Sequence, residues 1–158
     1  MEKFLQHLQE SEKRARTADH LIYSAFPLVQ DKMIIINALI EAKKSVSSCI
    51  NSILQYEYLF RRIRLYSDPN LNFQIFAKKC SGRYNISDGE ISKIKELFDI
   101  VEKHRKSPAE FRKGDKVIIL SENMVPEIIS VEMVKKFVFL AKSLFCKAKT
   151  KMQECDKI

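Results

Sequence analysis

The chain has 158 residues, a formal net charge of +8 at neutral pH, 46% hydrophobic and 30% charged residues, and only three glycines. This composition is typical of one folded domain and excludes a disordered or low-complexity chain, while no apolar run is long enough to span a bilayer and no secretory signal is evident. The four cysteines lie far apart without a CxxC pair, which predicts reduced thiols in the cytoplasm and no zinc site.

Apolar residues recur at three- and four-residue steps over most of the sequence, and this period predicts helices. The first is expected over residues 2–25, before Pro27, and the second, the longest, over residues 31–66. A third begins at Asp68-Pro69, a fourth follows the capping box Ser87-Asp88-Gly89-Glu90, and the last begins near Ser130.

The segment between the last two helices departs from this pattern. Ser107-Pro108-Ala109-Glu110 has the form of a capping box, so we expect one helical turn over residues 108–113 and a stop at Gly114. The β-branched run at residues 117–120 is expected to be extended. The sequence therefore predicts an all-α fold, in which residues 1–158 form a single up-and-down bundle of about five helices with a short extended segment near 117–120.

Two sets of cations are candidates for contact with nucleic acid. The first surrounds the Ser-Pro joint and comprises Arg105, Lys106, Arg112, Lys113 and Lys116. The second occupies one heptad position of the last helix and comprises Lys135, Lys142 and Lys149, which would be about 10 Å apart along its axis. Either set could contact phosphates, or it could be a solvated surface that keeps the helix ends and the core seam soluble.

A third basic segment mixes aromatic and cationic residues near the end of the second helix: Tyr58, Arg61, Arg62, Arg64 and Tyr66. RNA-binding proteins use this composition, because bases stack on aromatic rings while cations contact phosphates. The alternative is local pairing, in which Glu57 binds Arg61 four residues later and Tyr58 stacks on Arg62.

Two features predict contact with another helix or with a second copy. The last helix is apolar on nearly all sides, and we expect a homodimer interface that includes Phe137, Phe139, Leu140 and Leu144. The second helix carries a small polar stripe of Ser45, Ser48, Ser52 and Gln55, where either another helix of the bundle or a second copy would pack.

Catalytic signals are weak. The sequence has no phosphate-binding glycine loop, no GxSxG and no HExxH motif, and His104 would need a partner carboxylate that sequence alone does not place. We therefore predict no catalytic residue, no metal, no cofactor and no small-molecule substrate.

The chain resembles small helical proteins of the HEPN type in its size, helical order and basic character. The segments RYNIS and HRKSPAEFRK are also similar to segments of uncharacterised archaeal helical proteins. Ribonuclease members of the HEPN family carry an Arg followed by four to six residues and a His, late in the chain. Here that spacing occurs at Arg14 and His20 on the first helix, where the two residues would lie about 120° apart around the axis with His20 facing solvent.

Three functions remain open at this point. The favoured one is a non-enzymatic cytoplasmic protein that contacts RNA through an assembled basic surface; the alternatives are a protein-interaction module that homodimerises and a metal-independent HEPN-type ribonuclease. A single basic patch that joins residues 105–116 to residues 135–149 would favour RNA, and scattered charges would favour an interaction module.

Overall fold

The computed structural model describes residues 2–156, and the side chains of residues 2–154. The helices are α1 (Lys3–Asp19), α2 (Phe26–Val29), α3 (Lys32–Leu59), α4 (Pro69–Ile75), α5 (Asp88–Lys106) and α6 (Val131–Asp156). A π-helical segment, His20–Ala25, joins α1 to α2, and α4 continues through the π-helical Phe76–Cys80 and the 3-10 turn Ser81–Tyr84. Three strands, β1 (Ala109–Lys113), β2 (Lys116–Leu120) and β3 (Pro126–Ser130), precede α6.

The core lies where α3 packs between α1 and α6. Residues of α3 at helical steps, among them Ile35, Leu39, Val46 and Ile53, are completely buried. Burying each of these side chains stabilises the fold by roughly 1.5–3 kcal/mol relative to its exposure. No helix among residues 2–156 is both long and apolar enough to cross a membrane.

The small polar stripe of α3 is covered by α1. The Ser11 hydroxyl donates to the backbone oxygen of Ser45 at 2.9 Å, and the Ser45 hydroxyl donates to the backbone oxygen of Ser11 at 2.7 Å. Ser52 similarly donates to the backbone oxygen of Phe4 at 2.7 Å. These reciprocal bonds satisfy buried hydroxyls where two helix backbones approach closely, so another helix of the same chain packs on most of this stripe.

The predicted starts of the five main helices are confirmed, and two predicted ends are wrong. The first helical stretch continues past Ala25 and through Pro27 to Val29, and it ends at Gln30, whose φ is 48°. Ser87 and Glu90 form the expected capping box, and Asp68 caps α4. The second helix stops at Leu59 instead of residue 66, because the chain turns into a left-handed conformation at Arg61, where φ is 58°. No glycine marks this end in the sequence.

The prediction of an all-α fold is wrong in the segment after α5, which forms a three-stranded antiparallel sheet in the order β1-β2-β3. The expected extended segment near 117–120 is confirmed as the central strand, but the expected helical turn at 108–113 is β1. The Ser107 hydroxyl lies 2.7 Å from the backbone oxygens of Ala109 and Leu120 and so binds across the β1–β2 pair instead of capping a helix. Gly114 and Asp115 close this hairpin, and only Gly114 has a positive φ, as in a type II′ turn.

The two faces of the sheet differ. The inner face points Val117, Ile119 and Ile129 into the core, where they are fully buried. Glu110 also points inward, and its carboxylate lies 2.8 Å from His104 Nδ1 at the end of α5 and 3.9 Å from the Lys32 ammonium at the start of α3. The sheet is therefore fixed at the end of the bundle where α3 begins.

Candidate nucleic-acid interface

The predicted cations around the Ser-Pro joint separate into two groups at opposite ends of the β1–β2 hairpin. Arg105 and Lys106 both bind Glu102, with Arg105 Nη2 at 2.5 Å and the Lys106 ammonium at 3.5 Å. The Arg105 guanidinium is the main reason that the pKa of Glu102 falls to about 2. Arg112 donates to the backbone oxygens of Gly114 and Gln30, so its guanidinium is occupied by the fold.

Lys113 and Lys116 stand at the turn end of the hairpin, directly opposite each other. Both are exposed, and neither has an ion-pair partner among the residues that the structure describes. The backbone amide of Val131 donates to Asp115 at 3.0 Å, which places the start of α6 beside this turn.

The lysines of the α6 ladder each have a partner of their own. Lys135 lies 3.6 Å from Glu132 and 5.1 Å from the centre of the Tyr23 ring. Lys142 binds Asp19, and the Lys149 ammonium is 5.9 Å from the centre of the Phe145 ring. The ladder therefore does not extend the hairpin cations into one unpaired track. Among the described residues no unpaired patch joins residues 105–116 to residues 135–149, so the arrangement that was expected to favour RNA is not found there.

Unpaired cations converge instead at the other end of α3. A cleft of about 760 Å³ opens where the start of α1 meets the end of α3, and its walls include Lys3, Tyr58, Arg61 and Arg64. A second hollow of about 280 Å³ shares Arg61 and Arg64 and adds Arg62, Tyr66 and Lys79. We call the two together the basic cleft.

The charges in the basic cleft are only partly compensated. Among the described residues, Glu2 is the one acidic residue on its walls. Lys3, Arg61, Arg64 and Lys79 are exposed and form no ion pair within the described part of the chain. These four cations can therefore bind an anion without first breaking a salt bridge.

Arg61 is positioned by the cap at the end of α3. Its amide donates to the backbone oxygen of Tyr58 at 3.0 Å, and the amide of Arg62 donates to that of Glu57 at 3.0 Å. With Phe60 as the C-cap, these are the two hydrogen bonds of a Schellman motif. Glycine is usual at the left-handed position of this motif, so an arginine there places a cation at a backbone site that disfavours it.

A buried carboxylate, Glu57, holds Arg62, which lines the second hollow of the basic cleft. Glu57 is 2% exposed and binds two arginines, with Arg62 Nη1 at 2.9 Å and Arg83 Nε at 3.2 Å. Burial, followed by the charge of Glu57, raises the pKa of the neighbouring Tyr84 hydroxyl, which therefore stays neutral. The predicted pairing of Glu57 with Arg61 is wrong: Glu57 is taken by Arg62 and Arg83, and Arg61 is left to the cleft.

Aromatic rings line the same end of the bundle. Tyr58 and Tyr66 are about half exposed on the cleft walls. Behind them the rings of Phe4, Tyr56 and Phe60 pack in sequence at centroid distances of 5.0 and 4.8 Å, and the Arg62 guanidinium lies 5.1 Å from the Phe60 centroid. The walls of the basic cleft thus combine aromatic rings with cations.

Sequence reasoning identified part of this site and missed the rest. Tyr58, Arg61, Arg64 and Tyr66 stood out as a segment, but their freedom from local pairing was not visible. Lys3 belongs to the site because α1 and α3 are antiparallel neighbours, a consequence of their short connection. No sequence signal points to Lys79.

The two residues with the HEPN spacing have different surroundings. Arg14 lies between Glu10 at 2.6 Å and Glu41 at 3.2 Å, and the hydrogen bonds that its guanidinium donates to these carboxylates raise its pKa. His20 is exposed. Glu110 supplies the carboxylate that His104 lacked in the sequence, and the contact ties α5 to β1.

Three of the four residues expected at a dimer interface are buried within the chain itself. Phe137, Leu140 and Leu144 pack into the core formed with α1 and α3. Phe139 is 73% exposed and is the member of this set that remains available to another molecule. Self-association through the last helix stays a prediction that depends on Phe139.

Thiols and metal ligands add no further chemistry to the site. Burial raises the pKa of both Cys49 and Cys80 to about 12, so both stay protonated at neutral pH. Residues 2–154 contain no group of three or more His, Cys, Asp and Glu side chains placed to hold a metal ion.

No protein-family model matches the sequence, and comparison with curated proteins found no significant similarity. The HEPN resemblance therefore stays an expectation.

Proposed function

We propose that this protein binds RNA in the basic cleft without cleaving it. The observation that carries the proposal is the pair Arg61 and Arg64, two exposed guanidinium groups that line both hollows and form no ion pair within the described part of the chain. Lys3 and Lys79 extend this positive surface on either side. Several cations along one opening match the repeated charges of a phosphate backbone better than a single small anion.

The exposed tyrosines favour single-stranded or looped RNA over a regular duplex. Unstacked bases stack on aromatic rings with little sequence preference, each contact contributing about 1–3 kcal/mol. Tyr58 and Tyr66 border the cations, so one strand could place its phosphates on the arginines and its bases on the rings. Cys49, Cys80 and Cys146 form no disulfide within the described part of the chain, which is compatible with a cytoplasmic site of action.

We propose that the RNA is not cleaved because neither the residues with the HEPN spacing nor the walls of the basic cleft offer a histidine in a catalytic arrangement. Arg14 is held by two carboxylates and His20 is exposed without a described partner, so the HEPN spacing assembles no catalytic pair. No histidine lines either hollow of the basic cleft.

The experiment is a fluorescence-anisotropy titration of a labelled, unstructured RNA with three proteins: wild type, R61A/R64A and the control K93A/K95A. Lys93 and Lys95 are exposed on α5 and have no ion-pair partner among the described residues, so both variants lower the net charge by two. We expect R61A/R64A to weaken binding about tenfold or more at low salt and K93A/K95A to change it by much less. Equal losses in the two variants, or no binding by the wild type, would refute the proposal.

A further inference from the structure

The outer face of the sheet is apolar and faces solvent. Strand register aligns Phe111, Ile118 and Ile128 in one row across the three strands. A second row beside it contains Ala109, Leu120 and Pro126. Phe111 and Ile128 are 49% and 50% exposed, whereas Val117 and Ile119 on the inner face are fully buried. An antiparallel sheet with one solvated face normally places polar residues on that face, whereas here two of its three rows are apolar.

The loop between β2 and β3 adds exposed apolar residues at one end of the sheet. Met124 and Val125 follow Leu120 around the turn, and Met124 is 62% exposed with a φ of 60°. The loop is closed by the Ser121 amide, which donates to the backbone oxygen of Val125 at 3.0 Å. A methionine in the left-handed region places a flexible apolar side chain beside the sheet at a position that glycine or asparagine usually takes.

The charges at one end of the apolar face, the end at the β1–β2 turn, are all positive. Its third row consists of Lys113, Lys116 and Ser130, and both lysines lack an ion-pair partner among the described residues. Glu122 lies in the loop at the opposite end. An occupant that covers the apolar rows would therefore be favoured if it brought acidic groups to the lysine end.

The area of the outer face limits what can cover it. Three strands about 4.8 Å apart and five residues long at about 3.4 Å each give roughly 14 by 17 Å, or about 240 Å². A stable interface between two folded proteins buries about 800 Å² on each side, so this face alone is too small for a second copy of the chain. One α-helix, about 10 Å wide and about 11 residues long, covers it, and a contact of this area is typical of weak, transient binding.

We infer that the outer face of the sheet docks a single amphipathic helix of a protein partner, with acidic residues at the end that lies over Lys113 and Lys116. The apolar side of the helix packs on the rows of Phe111 and Leu120. This function is separate from RNA binding, because the sheet is attached where α3 begins and the basic cleft lies where α3 ends, about 42 Å away along a helix of 28 residues.

The test is selection from a displayed library of random peptides of about 14 residues, long enough to form a helix that spans the face. The full chain serves as bait in three forms: wild type, F111T/I128T and K113E/K116E. Threonine keeps the β-propensity of both exposed positions while it removes their apolar surface, and circular dichroism checks that each variant is folded. Phe139→Thr, on α6, is the matched control for loss of an exposed apolar residue.

We expect wild type and F139T to enrich peptides with apolar residues at three- and four-residue steps and acidic residues at one end. F111T/I128T should bind these peptides at least about tenfold more weakly. K113E/K116E should instead enrich peptides with basic ends, which a variant that had merely lost its fold would not do. The inference would be overturned if the selected peptides showed no charge preference, or if F111T/I128T enriched the same peptides as the wild type. It would also be overturned if the wild type sedimented as a dimer and F111T/I128T abolished that dimer.

Discussion

At the scale of single residues, Arg61 combines a structural cost with an exposed charge. Its φ of 58° belongs to the left-handed region, which costs a residue with a side chain about 1 kcal/mol relative to glycine. The Schellman hydrogen bonds of the α3 cap fix that conformation. Strain of this kind persists at positions where the side chain has a use, and here the side chain lines the basic cleft.

Arg61→Gly should therefore stabilise the fold while it weakens RNA binding. We expect the free energy of unfolding, measured by urea denaturation, to rise by about 0.5–1 kcal/mol, because glycine adopts the left-handed cap without strain. Affinity for RNA should fall in the same variant. Arg64→Gly, at a position without positive φ, is the control and should lose affinity without gaining stability. A less stable R61G would contradict the strain argument.

A second residue-scale prediction concerns Glu90, which caps α5 and binds Lys147 at 2.5 Å. Partial burial alone would raise the pKa of Glu90, but hydrogen bonds from Lys147 and from the Ser87 amide outweigh it and hold the pKa below 4.5. A carboxyl with a lowered folded-state pKa stabilises the protein at neutral pH, and this contribution is lost as pH falls through that pKa.

Glu90→Gln keeps an oxygen for the capping box and removes the charge. Wild type should be more stable than E90Q by a few tenths to about 1 kcal/mol at neutral pH, since the pair is partly exposed. The difference should shrink as pH falls below 4.5. Urea denaturation at several pH values measures it, and a difference that stays constant into acid would show that the charge is not responsible.

At the scale of elements, the hairpin depends on Gly114, whose φ is 64°. Gly114→Ala should lower the midpoint of thermal unfolding, with a loss of about 1 kcal/mol, because a Cβ is strained in that conformation even though the space is open. Gly89→Ala in the first turn of α5 is the matched control: its new Cβ would meet only Ser87 Oγ at 3.8 Å. That variant should be neutral or more stable, and equal losses in both would contradict this account of the turn.

The helices were predictable and the sheet was not, for physical reasons that particular residues show. Capping side chains act locally, so Ser87 and Asp68 marked helix starts correctly. Ser107 and Glu110 have the same spacing, but each binds a distant group, Leu120 and His104, which no local pattern specifies. The dipeptide Gly114-Asp115 is the feature of the sequence that could have predicted the β1–β2 hairpin, because such pairs are common in two-residue hairpin turns.

At the scale of the whole molecule, two surfaces lie at opposite ends of α3. The basic cleft contains cations without ion-pair partners in the described chain. The lysines of the predicted ladder, and Arg105 and Lys106, are largely paired within the chain. The sequence could supply the total charge of +8, but not which cations the fold would pair. With RNA in the cleft and a partner helix on the sheet, the molecule would hold both at once without overlap.

The most direct test of RNA binding in the basic cleft is photo-crosslinking of an unstructured RNA that contains 4-thiouridine, with the attachment sites mapped by mass spectrometry. We expect crosslinks at Tyr58 and Tyr66 and in the flanking peptides that carry Lys3 and Lys79, weakened by R61A/R64A and by high salt. Intact RNA should be recovered from the same samples. Crosslinks confined to the hairpin at residues 109–120 or to the ladder at residues 135–149 would contradict the account.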